Sequence, residues 1–108
     1  MVTAELAVAT LAALTILLLL SWGVYLMVMQ VRLIDTAAEV ARQAARGDEA
    51  AVARAEGEAP TGARVSIARS ASLVRVEVRL VARPLARNLA AVPLRADAEV
   101  VPEPEEPR

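Results

Sequence analysis

Between Leu6 and Met29 the chain runs for 24 residues without one charged side chain, and 20 of those 24 are hydrophobic. No other feature constrains the fold as strongly. A bilayer core about 30 Å thick takes roughly 20 apolar residues in a helix rising about 1.5 Å per residue. Residues 6–29 meet that length and are read as a membrane-spanning helix. Thr10, Thr15 and Ser21 are compatible with it, because their hydroxyls bond back to carbonyls of the preceding turn. Trp22 and Tyr25, the only aromatic residues of the chain, come late in the run, where amphipathic rings mark a membrane interface.

A cleavable signal peptide fits less well. Met1 to Glu5 contains no Arg or Lys, whereas a secretory signal opens on basic residues. The run exceeds the usual apolar stretch of about 7–15 residues, and no small-x-small cleavage site follows it.

Glu5 stands at the mouth of the run. A carboxylate there is costly at the bilayer centre and less so near the surface. One reading leaves it at the interface, favoured by the positive end of the helix dipole. The other draws it into an apolar assembly, where it needs a cation. The α-amino group of Met1, its own or a neighbouring chain's, is the nearest candidate, one helical turn away on the same face.

The remaining 79 residues hold 38 hydrophobic side chains, but 19 of these are alanine. The core available to a folded domain is therefore small. All 12 basic residues are arginine, and Cys and His are absent. Disulfides, thiolate nucleophiles, Cys-ligated zinc, the commonest metal ligand and the usual neutral-pH general base are thereby excluded.

Past the run, helical spacing continues. Ile34, Ala37, Ala38, Ala41, Ala44 and Ala45 form a stripe of period 3.6 that suits packing on a helix or sheet; alanine's high helix propensity explains the same stripe without a partner. Arg32, Asp35, Glu39, Arg42 and Arg46 take the opposite face. Gly47 suits a helix C-cap, and Asp48 an N-cap for a short helix over residues 49–56. Pro60, Thr61 and Gly62 are turn chemistry. The period then changes to two. Val65 and Ile67 alternate with polar residues, as do Val74, Val76, Val78 and Leu80, and then Leu94, Ala96, Ala98 and Val100. The expected fold is α+β: a long helix over residues 1–46, then residues 47–101 as a short helix with a small three-stranded antiparallel sheet. Residues 84–93 read as a linker, and 102–108 as an acidic, proline-rich disordered tail. On the outer sheet face, Arg75 or Arg79 is expected to pair with Asp97 or Glu99.

Residues 58–101 carry seven Arg against four acids. The excess raises nucleic-acid or anionic-surface binding, but without aromatics for base stacking or any Lys, and with the arginines alternating along strands, it reads as a solvated strand face and not as either site. Glu77, Asp97 and Glu99 have Arg neighbours, and nothing supplies a nucleophile or metal set. The sequence nominates no catalytic residue, no metal ligands and no cofactor.

The opening Met1-Val2-Thr3-Ala4-Glu5-Leu6-Ala7-Val8, followed by a long apolar run, resembles the amino terminus of type IV pilin-like proteins. The match is nearest to the TadE-like minor pilins of tight-adherence (Flp-type) pili, in their Ala- and Arg-rich actinobacterial form. It extends through Val31-Arg32-Leu33-Ile34-Asp35-Thr36-Ala37-Ala38 and the later strand pattern to Ala96-Asp97-Ala98-Glu99. The resemblance implies a structural subunit without chemistry of its own. Such a subunit sits in the cytoplasmic membrane with its C-terminal domain outside, then joins, primes or tips an extracellular pilus of other pilin subunits. It also implies that Glu5, at the fifth mature position, pairs with a neighbour's Met1 amine and sets register. If a leader precedes Met1, prepilin peptidase is a further partner. The alternative is a single-span anchored accessory protein that binds a partner through its sheet.

Topology tests the resemblance. Arg32, Arg42 and Arg46 follow the span, and counting them alone places the C-terminal part in the cytoplasm. A removed basic leader restores the balance.

Overall fold

The computed structural model describes residues 2–83 and 91–102. The molecule is a rod of 84 × 21 × 20 Å, because one helix runs well beyond the domain it supports. Helix α1, Val2–Ala45, is 44 residues long, about 66 Å at the α-helical rise. Leu and Ala dominate it, and no proline interrupts it. The Thr15 hydroxyl donates to the Leu11 carbonyl at 2.8 Å, so this polar side chain is satisfied within the apolar stretch.

Alternate demands end α1 and start α2, Glu49–Gly57. Gly47 takes φ +75°, a conformation that side-chain-bearing residues disfavour. Its N–H donates to the Ala44 carbonyl and that of Asp48 to the Gln43 carbonyl, the two bonds of a Schellman stop. Asp48 then caps the next helix, its Oδ1 accepting from the Ala51 N–H at 3.0 Å. Ala51, Val52 and Ala55 of α2 are buried where it packs along α1. Gly62, at φ +86°, forms the turn into the sheet, closed by the Ala63 N–H donating to the Pro60 carbonyl.

Strands β1 (Arg64–Arg69), β2 (Val74–Ala82) and β3 (Val92–Val100) form an antiparallel sheet with β2 in the centre. The fold is thus the α+β arrangement expected, a long helix, a short helix and three antiparallel strands. Strict alternation along β2 sends Val74, Val76, Val78, Leu80 and Ala82 to the buried face. Val65 and Ile67 sit opposite Val78 and Val76, and Ala96 and Ala98 flank the same pair from β3. Leu33, Ala37, Val40, Ala41 and Ala44 of α1 close the core over that face.

Two features differ from the expectations. Strand β3 starts at Val92 and includes Pro93, opposite Val81, within the stretch read as linker. As an edge strand it tolerates proline, since a missing N–H can face solvent. The rest of that linker, residues 84–90, and residues 103–108 of the expected tail lie outside the described residues. The second difference is on α1, whose sheet-facing stripe is turned by about one residue. Ile34 is 49% exposed, whereas Leu33 and Val40 are fully buried. Ala37, Ala41 and Ala45 face inward as expected, and Ala38 is half-buried. The larger Leu and Val fill the gap over the β-branched sheet face that alanines alone leave open.

Candidate functional site: the exposed helix and the sheet end beside it

Every residue from 2 to 21 is exposed in the monomer. Among the described residues α1 is the one helix long and apolar enough to cross a membrane, with mean hydropathy 2.3 in its most apolar window and none of that window buried. Leu6, Val8, Leu11, Leu14 and Leu17 are each more than half exposed. A helix apolar all round has no water-facing side, so this segment requires lipid or other helices. Its length fits membrane anchoring: 20 residues extend about 30 Å, the thickness of a bilayer core.

Burial begins at Trp22. Trp22, Leu26 and Met29 are half-buried and continue downward from Leu33 and Ala37 as one stripe at three- and four-residue spacing. The Trp22 ring is partly covered by the stacked Tyr25 ring, and Met29 is the first residue of α1 packed against the domain core. The apolar segment exposed at every residue is 2–21, and within 22–29 Val24, Tyr25, Met27 and Val28 are also exposed. An all-round apolar sequence contains no signal that distinguishes a lipid-facing turn from one covered by its own sheet.

Two contacts fix how the sheet lies along the helix. The Gln30 Nε2 donates to the Arg95 carbonyl at 2.8 Å, and Val100 lies beside Arg42, Ala45 and Arg46. Strand β3 thus runs in the same direction as α1, and β2 runs back. Arg95, Arg79 and Arg64 share one cross-strand row at the end nearer the apolar segment. Glu77, Asp97 and Ser66 form the next row, and Arg75 with Glu99 the row beyond.

Trp22 and Tyr25 stack on each other, with centroids 5.2 Å apart and planes 17° from parallel. They mark the junction between exposed helix and covered helix. Glu5 lies in the first turn of α1, exposed, where a negative charge complements the helix dipole. Met1 lies outside the described residues. Glu5 is about 26 Å along the axis from Trp22, so the two polar marks bracket a bilayer-sized interval.

Charge pairs decorate the domain without converging. Arg75 pairs with Glu99 as expected, but Arg79 reaches Glu77 on its own strand, because Arg95 and not an acid stands opposite Arg79. Arg69 pairs with Glu49 and ties β1 to α2. That hydrogen bond and the adjoining guanidinium charge hold the Glu49 carboxyl below its ordinary value. A hydrogen bond from Gln43, then one from Arg42, do the same for Glu39. An open groove of about 510 Å³ between α1 and α2 is lined by Arg32, Asp35, Glu39, Arg42 and Glu58. Among the described residues no three acidic side chains gather as a metal-binding set.

Compared with protein-family models, curated proteins and solved structures, the chain matches none of them.

Proposed function

We propose that this protein is a pilin-like structural subunit of the tight-adherence type. Anchored in the cytoplasmic membrane by its exposed amino-terminal helix, with the sheet domain outside, it joins, primes or tips a pilus. The observation that carries this reading is the 20-residue, wholly exposed apolar segment continuous with a stalk that holds a small domain. An anchor alone needs the same length. The pilin reading adds the position of Glu5 and an apolar surface on all sides, which lets lipid contacts be exchanged for helix packing in a filament.

Magnitudes allow both states. Between residues 6 and 21 nine Leu, Ile or Val side chains favour insertion by about 3–5 kcal/mol in total. A carboxylate at the helix centre costs about 2.5–3.5 kcal/mol and less near an interface, so Glu5 at the end of the span does not prevent insertion. In a bundle of apolar helices an unpaired carboxylate is costly, and a neighbour's Met1 amine relieves it only at one axial offset. That offset is the register.

The test is assembly of a Glu5→Ala variant in cells that make the filament. Wild-type chain is expected in sheared filaments, and the variant in the membrane fraction alone. Incorporation of Glu5→Ala at the wild-type level would falsify the register role. Wild-type chain confined to the membrane points instead to an anchored accessory protein that binds a partner through its sheet.

A further inference from the structure

The outer face of the sheet carries an arrangement that the fold does not require. Arg64, Arg79 and Arg95 stand directly opposite one another across all three strands, and like charges in that relation are destabilising. All three are exposed, as is Arg83, the residue that follows β2. Arg64 makes no ion pair among the described residues. Arg79 and Arg95 reach back to half-buried Glu77 and exposed Asp97, with both guanidinium groups themselves open to solvent, where such pairs contribute little.

The position of the row gives it meaning. Arg95 is level with Gln30, eight residues and about 12 Å along α1 from Trp22. Arg83 lies up to about 13 Å further toward the apolar segment than Arg79. Glu77 and Asp97 occupy the row on the far side, about 7 Å away from the apolar segment. With residues 2–21 in the bilayer, the headgroup layer of about 5–8 Å begins near Trp22. The sheet end then presents arginines to the bilayer first and acids behind them.

We propose that this end of the sheet docks on the anionic phospholipid headgroups of the leaflet from which α1 emerges. The inference rests on the membrane-anchored reading of α1. Guanidinium groups bind phosphate in a planar, two-pronged geometry, and phosphates placed along the row relieve its like-charge repulsion. Docking brings the end of the sheet against the headgroups, with the long arginine side chains reaching toward the phosphates, while residues 2–21 stay across the bilayer core. In a subunit that later leaves the membrane, it holds the domain at the surface until assembly.

The chain has no cysteine, so single labels are clean. Val81, half exposed on the same face, is replaced as Val81→Cys and labelled with a fluorophore. The full-length chain is then reconstituted in vesicles of phosphatidylcholine alone or mixed with phosphatidylglycerol. Headgroup-attached quenchers report docking, and a Leu14→Cys label with acyl-chain quenchers reports insertion. Phosphatidylglycerol is expected to raise the docked-to-undocked ratio at least about fivefold. Raising salt from about 0.1 to 1 M, which shortens the screening length from about 10 to 3 Å, is expected to remove that gain. The combined Arg64→Gln, Arg79→Gln and Arg95→Gln variant removes it at low salt, and the salt arm gives the same test in unmodified sheet. A Leu14 label in the acyl region with equal Val81 quenching in both vesicles overturns the docking and leaves the anchor standing. A Leu14 label outside the acyl region overturns both.

Discussion

The Gln30 side-chain amide donates to the Arg95 backbone carbonyl at 2.8 Å, between residues 65 positions apart in the chain. This bond fixes the level at which β3 crosses α1. Together with Val100 beside Arg42, Ala45 and Arg46, it shows the strand running in the direction of the helix, with the Arg64–Arg79–Arg95 row toward the apolar segment. Gln30 is also the first polar residue after the charge-free run, so the bond joins the end of that run to the domain.

Replacing Gln30 with Ala is expected to cost about 0.5–1.5 kcal/mol, the net contribution of one such hydrogen bond. The loss should be local. Hydrogen exchange of the chain in detergent micelles should quicken at the start of β3 and stay unchanged in β1. Equal acceleration in both strands contradicts an anchoring role for this bond.

Leu33 is fully buried while its neighbour Ile34 is 49% exposed. Leu33→Ala should therefore destabilise the domain by about 2–5 kcal/mol. Ile34→Ala, away from the core, should stay within about 0.5 kcal/mol. Guanidinium titrations of the two variants decide which helical face the sheet occupies, and the reverse order would place it on the Ile34 side.

The Arg69 hydrogen bond, and then its charge, hold the Glu49 carboxyl below its ordinary value of 4.5. A carboxyl depressed in the folded state adds stability above its unfolded pKa and loses it as pH falls through the folded value. The α2–β1 tie should thus be complete above pH 4.5 and weaken progressively in more acidic solution. Carboxyl NMR titration should find Glu49 low in the wild type and returned upward in Arg69→Gln. An unchanged Glu49 titration in that variant would show that Arg69 is not the cause.

Trp22 measures how deeply α1 sits. A span over residues 2–21 places it about 16 Å from the bilayer centre, whereas a span over 6–29 places it about 7 Å away. The chain has a single tryptophan, so its fluorescence in vesicles is unambiguous. Shallow quenchers are expected to act on it more strongly than mid-chain ones. The opposite ranking restores the longer, deeper span.

Much of the architecture was legible in the residues. The charge-free run predicted the long helix, Gly47-Asp48 predicted its stop and the next start, and period-two alternation predicted all three strands. Each of these signals is local, carried by backbone propensity and side-chain spacing within a few residues. Ile34 shows the limit. Its stripe and the Leu33 stripe differ by one residue on an alanine-rich helix, and helical periodicity does not choose between them.

Determined by sequence alone were the existence of one membrane-length apolar helix, the order of elements, and the division of each strand into an apolar and a charged face. Tertiary structure decided where the helix stops being free, which side of it the sheet covers, and which end of the sheet faces the apolar segment. The physical reason is that these three relations are set by non-local contacts. Leu33 and Val40 fill the space above Val76 and Val78, and Gln30 meets Arg95. The cross-strand register then aligns Arg64, Arg79 and Arg95, which in the chain are separated by intervals that carry no trace of a row.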